Sequence, residues 1–241
     1  MIIHDVAQGT TAWMKLRAGK PTASCFDKII TPGGKASASA DGYFAHLLAE
    51  RALGEPIDGF KSQWMERGND YEDRAVASYE LSHDCDTVRV GFVTTDDGLI
   101  GCSPDRFIVG CDDGALECKA PSAPVHVGYY LAAVGASKEY KVQLQGQLWT
   151  CERDWVDIIS YHPGIPDVVF RVYRDEEFIV LMAAHVRAFS GRLEDKWAEL
   201  QAKGWGPKEA PAQPDGLDAL GITQDDIDKM MAERFPQEAT Q

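Results

Sequence analysis

The chain lacks a C-x-x-C pair, an apolar run near the roughly 18 residues of a membrane span, and a cationic-then-apolar leader. Its six cysteines (Cys25, Cys85, Cys102, Cys111, Cys118 and Cys151) are scattered, which excludes a zinc knuckle or an iron–sulfur loop. Together these absences predict a soluble intracellular protein with reduced thiols and no membrane partner. Its six histidines (His4, His46, His83, His126, His162 and His185) show no ligand spacing, so a histidine-built metal hydrolase site is not supported. The segment Thr31-Pro-Gly-Gly-Lys35 is not a phosphate loop, because the first glycine and the preceding strand are missing.

Positive charge is also scarce. Against 38 acidic residues stand 24 Lys and Arg, a formal charge of −14, which argues against indiscriminate binding to nucleic-acid phosphates. The distribution is uneven. Residues 209–241 carry eight acids against Lys229 and Arg234, whereas Lys15, Arg17, Lys20, Lys28 and Lys35 face only Asp27 between positions 15 and 35. A local basic patch inside an acidic protein suits a lined DNA channel, and it suits a solvated basic face equally well.

With 241 residues and 44% hydrophobic content, the chain can bury a full core without a staple. Apolar periodicity predicts helices over 11–30, 41–53, 63–81, 138–151 and 175–203. The last has Phe178, Leu181, His185, Phe189 and Leu193 near one stripe. Strands are predicted over 87–94, 99–102, 106–109, 115–119, 155–161 and 168–173, with turns at Asp96-Asp97-Gly98 and Asp112-Asp113-Gly114. Pro121–Pro124 reads as a break. The expected fold class is α/β, a mixed central β-sheet flanked by helices. It occupies residues 1–203, followed over 204–241 by a Pro-rich linker and an acidic segment with an amphipathic helix at 223–235.

One stretch carries chemistry. If the turn at 112–114 closes a hairpin, positions whose numbers sum to 222–224 face each other, placing Asp105 opposite Glu117 or Lys119. All three positions are odd, so an unbulged pairing puts both carboxylates and the ammonium on one face. Crowded carboxylates raise one another's pKa unless a cation neutralises them, and Mg²⁺ does so with oxygen ligands while keeping several waters. A lysine there can serve the water that attacks phosphorus. Glu72, in Tyr71-Glu-Asp-Arg74 of the preceding helix, can complete the site from above. Taken singly, Pro104-Asp105 also reads as a turn, and Glu117-x-Lys119 as a solvated strand face.

Pro104-Asp105…Glu117-Cys118-Lys119 resembles the core motif of PD-(D/E)XK nucleases. The similarity extends to Ala12-Trp-Met-Lys-Leu-Arg-Ala-Gly-Lys-Pro-Thr-Ala-Ser24, Tyr43-Phe-Ala-His-Leu-Leu-Ala-Glu50 and Gly68-Asn-Asp-Tyr-Glu72. It continues through Cys102-Ser-Pro-Asp105, Leu116-Glu-Cys-Lys-Ala-Pro121 and Gln143-Leu-Gln145…Trp149. In this order, over residues 6–189, they resemble the phage lambda exonuclease family, or YqaJ-like viral recombinases. The resemblance implies a restriction-endonuclease-like core and a Mg²⁺-dependent 5′-to-3′ exonuclease, with Mn²⁺ as a substitute and two ions per site. Linear double-stranded DNA with a 5′-phosphate would be reduced to mononucleotides on one strand, leaving a 3′ tail for a single-strand annealing protein.

It further implies that Asp105, Glu117 and the Cys118 carbonyl ligate metal, with Glu72 helping to hold a second ion and Lys119 assisting the water. Arg17, Ser24, Ser103 and Gln143 would bind the 5′-phosphate, one guanidinium, two hydroxyls and an amide supplying donors to a terminal dianion. Met65 would be the apolar wedge between the strands. A homotrimeric ring in the cytoplasm of a bacterial host is implied as well, and only its channel need be basic. The competing expectations are a PD-(D/E)XK endonuclease and a catalytically silent DNA-binding recombination scaffold. The 5′-phosphate pocket argues against the first, and the intact Asp105, Glu117 and Lys119 against the second.

Overall fold

The computed structural model describes residues 1–57, 63–132 and 135–207, with side chains of all these except 63–70. The chain divides into a unit Met1–Gly206 and a unit Pro207–Gln241. The helix expected at 223–235 lies outside the described residues.

In order, the first unit contains β1 (Ile2–His4), α1 (Thr11–Arg17), a 3-10 segment (Ala23–Lys28), α2 (Ala40–Leu53) and α3 (Gln63–His83). Then come β2 (Thr87–Arg89), β3 (Phe92–Thr94), β4 (Gly101–Cys102), β5 (Arg106–Ile108) and β6 (Gly114–Lys119). It closes with α4 (Ala123–Leu131), α5 (Gly135–Glu139), α6 (Lys141–Thr150), β7 (Trp155–His162), β8 (Ile165–Tyr173) and α7 (Glu176–Ala202). Among the described residues no helix is long and apolar enough to cross a membrane.

The strands form two sheets, β1-β3-β4 and β2-β5-β6-β7-β8. In the larger one β6 and β7 run parallel and the other neighbours antiparallel, giving the mixed sheet that the sequence predicts. Alternation along β6 and β7 sends Ala115, Val156 and Ile158 into one core with Leu144, Leu148, Met182 and Phe189. Leu116 and Ile159 point to the other face, where Ala75, Val76 and Tyr79 of α3 cover them. The sheet is thus held between helices on both sides.

Five local expectations need correction. The single helix over 11–30 ends at Arg17: Gly19 takes a left-handed φ of 70°, and the Pro21 carbonyl accepts from the Gly101 N–H at 3.1 Å. The strand over 87–94 is two strands in different sheets. They separate at Gly91, where a Cβ would lie 2.3 Å from the Val6 carbonyl oxygen, so only glycine lets the chain cross there. The break at 121–124 opens α4, whose first turn accommodates Pro124 because no amide partner is required there. The helix over 138–151 is divided at Tyr140 into α5 and α6. On α7 the buried stripe passes through Met182 and Val186, leaving Leu181 41% exposed.

Candidate active site

The β5–β6 hairpin pairs Arg106 with Leu116 and Phe107 with Ala115, the lower of the two expected sums. Extended by one residue, that register sets Asp105 beside Glu117. The Asp105 Oδ2 accepts the Cys118 N–H at 2.7 Å, which anchors its carboxylate to the neighbouring strand. Glu117 is only 4% exposed, yet both its oxygens are satisfied. Oε1 accepts from Lys119 Nζ and from Gln143 Nε2, each at 2.6 Å, and Oε2 accepts from Gln147 Nε2 at 2.7 Å. Because Glu117 alternates with Leu116, it faces α6, and Gln143 and Gln147 are one turn apart there. Asp105, Glu117 and Lys119 line one pocket of about 190 Å³, together with Gln8, Tyr71, Glu72 and the Cys118 residue.

The electrostatics of this pocket are unbalanced. Burial, then the neighbouring Glu117 and Glu72, push the Asp105 carboxyl well above the ordinary carboxylate range. Burial alone would lower the Lys119 ammonium, but Glu117 and Asp105 outweigh it and hold the group above an ordinary lysine. Burial and the same carboxylates also raise the Cys118 thiol. Asp105 and Glu117 therefore share Lys119, an arrangement short of positive charge.

The donor set fits a hard divalent cation: two carboxylates and a strand carbonyl, all oxygen, beside an opening with room for water. Glu72 is in the same pocket but differently engaged. Its Oε1 accepts from Arg106 Nη1 at 2.6 Å, and that guanidinium, 4% exposed, also donates to the Asp105 carbonyl at 2.8 Å and to Asp73 at 3.1 Å. Among the described residues, no three His, Cys, Asp or Glu side chains converge as a ready-made metal cage.

A second group of residues collects beside β4. The Trp13 indole N–H donates to Ser103 Oγ at 3.0 Å, and the Arg17 guanidinium stacks over the Trp13 ring at 4.2 Å. Ser24 Oγ is 3.4 Å from Thr22 Oγ1, and Thr22 bridges to Gly101. Burial lowers the Arg17 guanidinium from its ordinary value, and among the described residues it has no carboxylate ion pair. Of the four residues expected around a phosphate, Arg17, Ser24 and Ser103 thus gather about β4, whereas the Gln143 side chain is bonded to Glu117. The side chain of Met65 lies outside the described residues.

Sequence reasoning did not single out Gln8, Arg106 or Gln147, or the bond of the Trp13 indole to Ser103. Gln147 is four residues beyond Gln143, a spacing that would have found it on the same helix face. Gln8 donates to the Val90 and Pro104 carbonyls, a contact between distant segments that leaves no local trace.

The family profile of the YqaJ-like viral recombinase domain matches residues 12–154. An alkaline exonuclease, LHK-Exo, from Laribacter hongkongensis is 28% identical, with a TM-score of 0.72 over 81% of this chain and 98% of that one. The same protein in complex with dAMP gives a TM-score of 0.71 at the same identity and coverage. A phage related exonuclease from Haemophilus somnus 129PT, 17% identical, shares the fold with a TM-score of 0.59 over 75% of this chain and 96% of its own. No curated protein matches the chain at a significant level.

Proposed function

This chain belongs to the YqaJ-like viral recombinase family, alongside phage-type alkaline exonucleases, and we propose that it is a Mg²⁺-dependent 5′-to-3′ exonuclease of linear double-stranded DNA. The observation that carries this reading is the pocket in which Asp105, Glu117 and Lys119 meet with a deficit of positive charge. Asp105, Glu117 and the Cys118 carbonyl hold Mg²⁺, with Mn²⁺ as substitute, and Glu72 contributes to a second ion once substrate is bound. The metal supplies Lewis-acid stabilisation of the phosphoryl oxygens. Lys119, charged and fixed by Glu117, donates to and orients the attacking water. Gln143 and Gln147 keep Glu117 from rotating away.

Arg17, Ser24 and Ser103 receive the terminal 5′-phosphate, with Gln143 at the boundary between this pocket and the carboxylates. A guanidinium without an internal acid is suited to an external dianion. The dAMP complex of LHK-Exo supports mononucleotides as products. In this reading the 3′ tail passes to a single-strand annealing protein, three copies of the chain form a ring around the duplex, and Met65 parts the strands.

The test is digestion of linear duplex bearing a 5′-phosphate or a 5′-hydroxyl, with Mg²⁺, against closed circular duplex and Asp105→Ala. The expected result is preferential loss of the phosphorylated strand from its 5′ end, reduced by at least about a thousandfold in the variant. Cutting of the circle would establish an endonuclease instead, and DNA binding without cleavage in Mg²⁺ or Mn²⁺ a silent scaffold.

A further inference from the structure

We infer that Arg106 is a positioning residue that acts as a built-in cation for Glu72, so that the DNA-free protein takes one divalent ion and not two. The inference rests on the proposed nuclease site. Its basis is the contrast between the pocket's carboxylates: Asp105 and Glu117 are held by an amide N–H, two glutamines and Lys119, whereas Glu72 is held by a guanidinium. Arg106 is 4% exposed and its three acceptors, Glu72, the Asp105 carbonyl and Asp73, come from α3 and from the chain just before β5. It ties the helix carrying Glu72 to the residue carrying the first carboxylate.

Turning Glu72 toward a metal would strip a buried guanidinium of one of its two anionic partners, a change that buried ion pairs resist. The other partner, Asp73, is 71% exposed and is shared with Arg89, so it compensates poorly. Arg106 therefore fills the place of the second cation in the DNA-free protein.

Mn²⁺ binding to the full-length protein without DNA, measured by calorimetry and by the paramagnetic resonance of free Mn²⁺, tests this without any activity readout. The wild type should bind about one ion per chain, lost in Asp105→Ala. Glu72→Gln should leave that count intact and the affinity within about twofold, since Glu72 is not yet a ligand. Arg106→Met should gain a second ion, Arg106→Lys should not, and Arg106→Met combined with Glu72→Gln should return to the wild-type count. Two ions in the wild type, one of them lost in Glu72→Gln, would overturn the inference and leave the nuclease reading standing. So would a folded Arg106→Met that binds no additional ion. If Arg106→Met does not fold, the Glu72→Gln arm alone decides. Absence of any Mn²⁺ binding in the wild type would overturn this inference and the reading of the site together.

Discussion

Arg106 and Arg17 stand on either side of the same short stretch, Cys102–Asp105, and the fold treats them in opposite ways. Arg106 is sunk into the protein against Glu72, Asp73 and a carbonyl, all at hydrogen-bonding distance. Arg17 lies half-buried on the face of Trp13, with no ion pair among the described residues. One guanidinium is consumed internally and organises carboxylates; the other is left available to an anion from outside. The same contrast separates the two halves of the candidate site. Around Asp105 and Glu117 negative charge is in excess, and beside β4 positive charge is. A phosphodiester chain ending in a phosphate, with a metal at the scissile bond, supplies what each half lacks.

Mutations can pull the halves apart. Lys119→Ala acts only on the acidic half: kcat should fall about 10²–10⁴-fold while DNA-end binding, followed by fluorescence anisotropy, is kept. Near-normal turnover would remove the lysine from the mechanism. Arg17→Ala acts only on the other half. A charge-assisted contact of about 1.5–3 kcal/mol corresponds to roughly a 10- to 100-fold loss of preference for 5′-phosphorylated over 5′-hydroxyl ends. Mn²⁺ affinity should not move, and an unchanged end preference would dissolve the pocket. The smallest effect is expected for Trp13→Phe, which keeps a ring beneath the guanidinium but loses the indole bond to Ser103. The loss of about 1 kcal/mol should appear as a several-fold rise in KM with kcat unchanged; a fall in kcat would show that the two halves are coupled.

Much of this site is legible in the residues because its geometry is local. Asp105, Glu117 and Lys119 share odd parity across one short turn, and strand alternation carries that parity into a common face whatever surrounds it. Gln143 and Gln147, one helical turn apart, could be paired in the same way. Arg17 and Ser103 are different. Ninety residues separate Trp13 from Ser103, and only the packing of α1 against β3, beside the chain that leaves β4, makes the indole bond that unites them.

By itself, then, the sequence determined the periods: an α/β fold with a mixed sheet, the hairpin register to within one residue pair, and the carboxylates and lysine facing one way. These follow from alternation and turn chemistry acting over a few residues. Tertiary structure alone decided where residues 87–94 divide between two sheets, because the division depends on Gly91 crossing beneath the Val6 carbonyl. It also decided that Glu72 meets Arg106. That contact spans 34 residues, and it depends on how α3 lies across the sheet, which no local pattern of side chains specifies.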